Sequence, residues 1–339
     1  MKAIKAIKAW LIRSSPVVLF FKRPYRFAVV FAILLTAAFA FTLLDTFVLP
    51  KTLQAVQQDE VQYPLFVSEQ TKLADSNSSV AGQKANGEST ETIAPVITAN
   101  SYKDENIEIS IETIRVYDTD VYIADIRISS IDYFKTAFAQ NIFGRNINEK
   151  TSVIAAGQNA ILAINGDYYG FRNDGWVLRN GILYRSEKNP NKSVDAFLMD
   201  REGSFSYIEG NASIEGQLSE LWQIWSFGPA LVVDGEISVT KNQEIQGRSS
   251  NSNPRTAMGQ LGDLHYIFIV SDGRTNTSAG LSLFELASLL KERGCLIAYN
   301  LDGGGSSTMF FNGQIVNNPT TDGKRIKERE ISDIVYIGY

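Results

Sequence analysis

The order of apolar and polar positions divides the chain into three stretches. From Phe27 to Leu44 eighteen residues pass without a charge. At roughly 1.5 Å per residue they make about 27 Å of helix, which crosses a bilayer core once Phe47, Val48 and Leu49 are added beyond Asp45. From about Ser68 to Asn100 the residues are mostly Ser, Thr, Asn, Gln, Ala, Gly and charged. A segment of that kind buries too little apolar surface to offset its ordering entropy, and it reads as a flexible stalk.

After Tyr102 the pattern turns to short strands with helices interspersed. Ile107, Ile109 and Ile111 alternate with polar residues, and the run around Val121 and Ile123 continues the period of two, as in a hairpin with one buried face. Thr151 to Ala160 reads as a helix feeding the strand Ile161 to Ile164, and Trp176 to Tyr184 as a hairpin turned by Asn180-Gly181. Strands are expected near 196–199, 204–208, 230–233, 264–270 and 296–301. The clearest helix runs from Ser282 to Arg293: Ser282 and Glu285 have capping-box spacing, Leu286, Leu289 and Leu290 form a stripe, and Gly294 is a stop. Together these predict a mixed α/β (α+β) fold, a single domain of mixed sheet with few helices, preceded by one transmembrane helix.

Charge sharpens the division. Lys2, Lys5, Lys8, Arg13, Lys22, Arg23 and Arg26 precede Asp45 with no acid among them, so the formal −5 of the whole chain is +7 there and −12 beyond. Cations on one flank orient the apolar run with its N-terminus in the cytoplasm. The expected organisation is a basic cytoplasmic segment at 1–26, a membrane helix at 27–49, an extracellular stalk at 50–100 and a folded domain at 101–339. A cleaved signal peptide is the competing reading, with Ala37, Ala38 and Ala40 as small residues. With one Cys, Cys295, and one His, His265, a His/Cys zinc site is excluded. A Ser-His-Asp relay would need His265, whose strand setting favours a structural role instead.

Four polar segments sit against apolar strands, where chain ends project groups into a cleft. They are Asn165-Gly166-Asp167, Asn253-Pro254-Arg255, Ser271 to Arg274, and Asn300 to Ser307. Strand alternation puts Asn165 with Asp167, and Asn300 with Asp302, on common faces. Gly303, Gly304 and Gly305 leave bare N–H groups flanked by Ser306 and Ser307, as in an anion-binding nest, although a tight turn would also use glycine. Arg255 and Arg274 fit either a phosphate or carboxylate clamp or a solvated turn.

The segments AINGDYYG, SFGPALVVDGE, NPRTAMG, VSDGR and NLDGGGSSTMFFNGQIVNNP, in that order, resemble the phosphodiester glycosidase family from roughly Ile107 to Tyr339. Asp167 stands where the family pattern Asn-Gly-Gly-Phe-Phe has its second glycine, and Gly323-Lys324-Arg325 stands for the usual Gly-Glu-Arg. The resemblance implies hydrolysis of the C1–O bond of a glycosyl 1-phosphodiester in a surface glycan or glycopolymer. Bacterial members are associated with exopolysaccharide biosynthesis, and the expected location is the surface of a Gram-positive bacterium. Phosphate leaves as a weak base and needs charge stabilisation more than protonation, a task suited to Arg255, Arg274 and the glycine nest. Asp302 is then the candidate nucleophile or base with Asp272 as partner. Asn165, Gly166, Asp167, Asn300, Gly303, Gly304, Gly305, Ser306, Ser307 and Arg325 are candidates for substrate binding. The residues name no cofactor, and the oxygens of Asp167, Asp272 and Asp302 leave Ca²⁺ or Mg²⁺ open, without an EF-hand-like spacing to support it. The expected partners are the glycan substrate and, through 27–49, the membrane, with no nucleic acid. The alternative is a non-catalytic glycan-binding or scaffold component of polysaccharide assembly.

Overall fold

A computed structural model describes residues 24–56, 94–187, 195–210, 213–242 and 252–339. Nearly all of the expected basic segment and most of the expected stalk lie outside these residues. The chain divides into two compact units, Met1–Lys51 and Thr52–Tyr339.

In the first unit, helix α1 (Pro24–Phe47) is long and apolar enough to cross a membrane, a property shared by membrane anchors and signal sequences. Two of its hydroxyls are satisfied within the helix: Thr36 Oγ1 donates to the Ala32 carbonyl at 2.8 Å and Thr42 Oγ1 to Ala38 at 2.9 Å. That removes two polar groups that hydrocarbon would penalise.

The second unit is built mainly of strands. In chain order the strands of its three larger sheets are β1 (Val96–Ile97), β2 (Ser101–Lys103), β3 (Ile107–Val116), β4 (Thr119–Ile128), β5 (Phe134–Phe138) and β6 (Leu162–Asn165). Next come β7 (Gly175–Arg179), β8 (Ile182–Glu187), β9 (Ala196–Asp200), β10 (Phe205–Ile208), β11 (Leu221–Trp225), β12 (Ala230–Val233) and β13 (Glu236–Ile237). The last are β14 (Arg255–Gly262), β15 (His265–Ser271), β16 (Ile297–Asn300), β17 (Met309–Phe311), β18 (Gln314–Ile315) and β19 (Asp333–Ile337). Two helices accompany them, α2 (Thr151–Gly157) and α3 (Leu283–Glu292).

The strands form three larger sheets, with orders β13-β12-β16-β14-β15-β4-β3-β2-β1, β8-β7-β11-β9-β10 and β18-β17-β6-β19-β5. Every pairing in them is antiparallel. The largest sheet takes in Val96 and Ile97, so ordered sheet begins five residues before the expected start of the domain. Local signals in the sequence are realised directly. Asn180 and Gly181 both adopt positive φ in the β7–β8 turn, and both halves of the Ser282/Glu285 capping box form.

Register sets where chemistry can gather. In the largest sheet Arg255, opening β14, pairs with Ser271, closing β15, while Ala257 pairs with Asn300, closing β16. The start of β14 and the ends of β15 and β16 therefore share one edge. The end of β6 joins it from the neighbouring sheet, because Asp302 N–H donates to the Gly166 carbonyl at 3.2 Å. Beneath this edge the core packs aromatic rings, with Phe134 against Phe205, Trp225, Tyr266 and Phe268 at 5.1–6.2 Å. Helix α3 covers the other face through Leu283, Leu286, Ala287, Leu289 and Leu290.

Phe134 is fully buried at the centre of that cluster. Phe134→Ala is expected to cost about 3–5 kcal/mol. Urea unfolding checks this, and the expected result is a lower midpoint with an unchanged m value.

Candidate active site

Asp302 follows β16 on the glycine-rich turn, and its carboxylate is held from two sides. Ser306 Oγ donates to Oδ2 at 2.6 Å and Arg329 Nη2 to the same oxygen at 2.9 Å, while Arg329 Nε donates to Ser306 Oγ at 2.9 Å. The Asp302 side chain retains 13% exposure. Burial holds its carboxyl above the ordinary carboxylate range, and Arg329 offsets part of that shift.

The three glycines do a different job from the one expected. The N–H groups of Gly304, Ser306 and Ser307 donate to the carbonyls of Pro254, Gly303 and Gly304, so these three close the turn instead of facing an anion. What it provides is close approach. A Cβ on Gly303 would stand 2.8 Å from the Pro254 carbonyl oxygen, and one on Gly305 2.2 Å from Thr321 Oγ1. Gly304, at φ +63°, lies under the Arg274 guanidinium, whose Nη2 would be 2.8 Å from a Cβ there. Arg274 is fixed over the turn by Nε to Asn253 Oδ1 (3.1 Å) and Nη1 to the Thr321 carbonyl (2.8 Å).

Arg255 is buried and donates Nε to the Leu281 carbonyl at 2.9 Å. Burial, with the nearby Arg274 charge second, pushes its guanidinium down to about 10, still cationic at neutral pH. Burial and Arg329 also lower Arg274, while Asp302 raises it. Three guanidinium groups thus gather around the turn that carries Asp302.

The other expected residues take different positions. Asp272 is buried and saturated: Asn317 Nδ2 and Asn318 N–H donate to Oδ1, and Tyr122 Oη and Asn318 Nδ2 to Oδ2. A carboxylate with four donors has no free lone pair for attack, which corrects its expected role as partner to Asp302. Asn165 is equally committed. Its Nδ2 donates to the Asp302 carbonyl at 2.6 Å, and its Oδ1 accepts from Thr256 Oγ1 and Thr308 N–H, so it ties two sheets together instead of reaching for a sugar. Asn300 is buried and donates to the Gly228 carbonyl beside the cis Gly228–Pro229 bond. Ser307 is buried as well. His265 pairs with Asp125 at 3.0 Å on the face of the sheet.

Asp167 turns away from the expected shared face. Arg179 Nη2 lies 2.9 Å from Asp167 and 3.0 Å from Asp333, all three side chains at most 2% exposed, and Ser226 N–H donates to Asp167 Oδ2. Asp167, Asp272 and Asp302 therefore do not converge on a cation, and no group of three or more His, Cys, Asp or Glu suited to a metal occurs among the described residues. Two buried carboxylates share one guanidinium. Burial, then the Asp167 charge against the pull of Arg179, pushes Asp333 up to about 7.

Arg325 lies apart from Asp302, 84% exposed and 3.4 Å from Asp322. The arginine at the carboxylate is Arg329, which the sequence reading missed. Its signal was Glu328-Arg329, the nearest match to the Glu-Arg of the family pattern.

Beside Asp302 lies a pocket of about 150 Å³, lined by Gly166, Tyr168, Phe171, Ser306, Arg329 and Asp333 among others. Tyr168 is in the left-handed region at φ +70°, and its ring stacks on Phe171 at 4.5 Å. Strain of this kind in a non-glycine residue concentrates at functional sites. Phe171, Arg329 and Glu330 also line a wider cleft of about 780 Å³.

The sequence profile described as phosphodiester glycosidase matches residues 158–338. A Bacillus subtilis protein, the SPbeta prophage-derived uncharacterized protein YomE, is 28% identical over 205 residues, 58% of this chain and 31% of that one. Human N-acetylglucosamine-1-phosphodiester alpha-N-acetylglucosaminidase is 25% identical over 205 residues, 58% of this chain and 34% of that one. The matches thus span about a third of these relatives' length. The solved catalytic domain of the zebrafish enzyme of the same name shares the fold, with a TM-score of 0.55 at 21% identity over 69% of this chain and 83% of that one.

The buried triad has a consequence for stability. A carboxyl whose folded value is raised binds a proton that the unfolded chain releases, so its contribution is present at low pH and is lost as pH rises through about 7. The melting temperature is expected to fall between pH 5 and pH 8, and Asp333→Asn, which cannot ionise, should flatten that slope.

Proposed function

The chain belongs to the phosphodiester glycosidase family, and from that premise we propose that it is a hydrolase that cleaves the C1–O bond of a glycosyl 1-phosphodiester. The observation that carries this reading is one carboxylate, Asp302, bonded by Arg329 and Ser306 on a turn capped by Arg274. Such a site offers one group to react at C1 and fixed positive charge for the departing phosphate.

In the reaction the bond from C1 to the phosphate oxygen breaks with its electron pair staying on the phosphate, and the oxygen of water ends on C1. Asp302 either takes the proton from the attacking water or attacks C1 itself before water releases the sugar. The products are a free reducing sugar and a phosphate monoester. Arg274 and Arg329, prepaid in position by their bonds to Asn253, Thr321 and Ser306, stabilise the negative charge that develops on the leaving group. The small pocket matches one ring, since a cavity of roughly 150 Å³ admits a six-membered ring. The Tyr168–Phe171 pair offers an aromatic face to the C–H side of the sugar. We further read α1 as an anchor that keeps the domain outside a bacterial cell, in line with the seven cations before it.

Incubation with a sugar 1-phosphodiester should release reducing sugar, and binding without turnover would instead favour a scaffold role. Asp302→Asn is expected to lower kcat by roughly 10³-fold with the fold intact. Arg274→Ala should raise KM far more than replacement of a remote surface lysine such as Lys103. Because Asp302 must be ionised to act, activity should fall on the acid side. Arg329→Gln, which removes the charge that lowers the Asp302 value, should move that limb to higher pH.

A further inference from the structure

The wide cleft that opens from the small pocket has no role in the chemistry described so far. Its wall carries Lys150, Arg325 and Lys327 in addition to Arg329. Three acids share it: Glu328 is turned to neutral donors, Asp322 to two backbone N–H groups and to Arg325 Nε at 3.4 Å, and Glu330 is exposed with Lys150 opposite it across a short strand pairing. Asp322 Oδ1 accepts from the N–H groups of Lys324 and Arg325 at 2.9 and 3.0 Å. Glu328 is buried and accepts from Ser152 N–H and Oγ at 2.9 and 2.6 Å. Lys150 and Lys327 are exposed and have no ion-pair partner among the described residues. This wall belongs to a chain that carries −12 from Asp45 onward. It is continuous, through Phe171 and Arg329, with the pocket beside Asp302.

Resting on the glycosidase reading, we propose that the wide cleft is the subsite for the alcohol side of the phosphodiester, and that it takes an alcohol bearing at least one further phosphate, as in a repeating phosphodiester polymer. The sizes divide the substrate. The pocket holds one ring, and the cleft, about five times larger from 150 and 780 Å³, holds the chain that the phosphate links to it. Ammonium groups on flexible stems suit phosphates spaced along a mobile polymer, where a fixed arginine fork would suit a single planar carboxylate. Asp322, held by backbone N–H groups and Arg325, and Glu328, held by Ser152, are bonded to groups other than the lysines.

The test is equilibrium binding of a short poly(glycerol phosphate) to the full chain in detergent, compared with polygalacturonate and neutral dextran of similar length. Poly(glycerol phosphate) is expected to bind most tightly, and the Lys150→Gln/Lys327→Gln double variant to bind it roughly tenfold more weakly. Affinity should also fall as salt rises and the Debye length shrinks. Both lysines are exposed, so the variant keeps its fold. Equal binding by the double variant, or polygalacturonate or dextran binding as tightly as the phosphate polymer, would overturn the proposal. Turnover of small sugar 1-phosphodiesters measured alongside separates the two readings. Turnover with lysine-independent binding sinks the cleft assignment alone. Lysine-dependent binding with no turnover on any sugar 1-phosphodiester sinks the glycosidase reading, and the assignment of the polymer as its leaving alcohol goes with it.

Discussion

The Asp302 carboxylate cannot move without disturbing most of its surroundings. Its Oδ2 is shared by Arg329 and Ser306, its own N–H reaches the Gly166 carbonyl, and its carbonyl accepts from Asn165. Two sheets, the glycine turn and the segment leading into β19 therefore meet at one residue. A carboxylate in this position is kept charged by a guanidinium on one side and raised by burial on the other, and the balance sets the pH at which it can react. In the reaction proposed above, the arginines that surround it would also serve the leaving group, the same positive field holding the carboxylate and favouring departure of phosphate.

Many of the polar residues that cluster here are bonded to one another. Asp272 receives four donors and fixes the Asn317-Asn318 segment behind Ser307. The Asp167–Arg179–Asp333 triad stands under Gly166, where a Cβ would fall 2.2 Å from Asp333 Oδ1. That glycine is required by the neighbouring carboxyl, and the acid at position 167 matches a buried arginine, which accounts for its presence where the family pattern has glycine. Reactive geometry of this kind depends on a rigid second layer, because a displacement of about 1 Å at the reacting groups costs on the order of 10²-fold in rate.

Much of this was legible in the sequence where the signal is local. The capping box of α3, the Asn180-Gly181 hairpin, the alternation along β3 and β4, and the acidic residue before three glycines are all properties of a few adjacent positions. What was not legible depends on distance along the chain. Arg329 lies 27 residues beyond Asp302, and the two members of the Arg179–Asp333 pair are 154 apart. No spacing rule links them. The glycine run was legible only as a choice between a nest and a tight turn for a related reason: the sequence shows which side chains are missing but not which neighbour each missing Cβ would have struck. Asn165 and Asp167 were placed on one face by strand alternation, but β6 ends at Asn165, and the period of two ends with it.

The most direct test follows the oxygen. Hydrolysis of a sugar 1-phosphodiester by the full chain in ¹⁸O-labelled water distinguishes attack at C1 from attack at phosphorus. Cleavage of the C1–O bond by the Asp302 site puts the label on the anomeric hydroxyl of the released sugar and none in the phosphate monoester. Label in the phosphate, with an unlabelled sugar, would mean that the arginines serve a phosphodiesterase and would contradict the account.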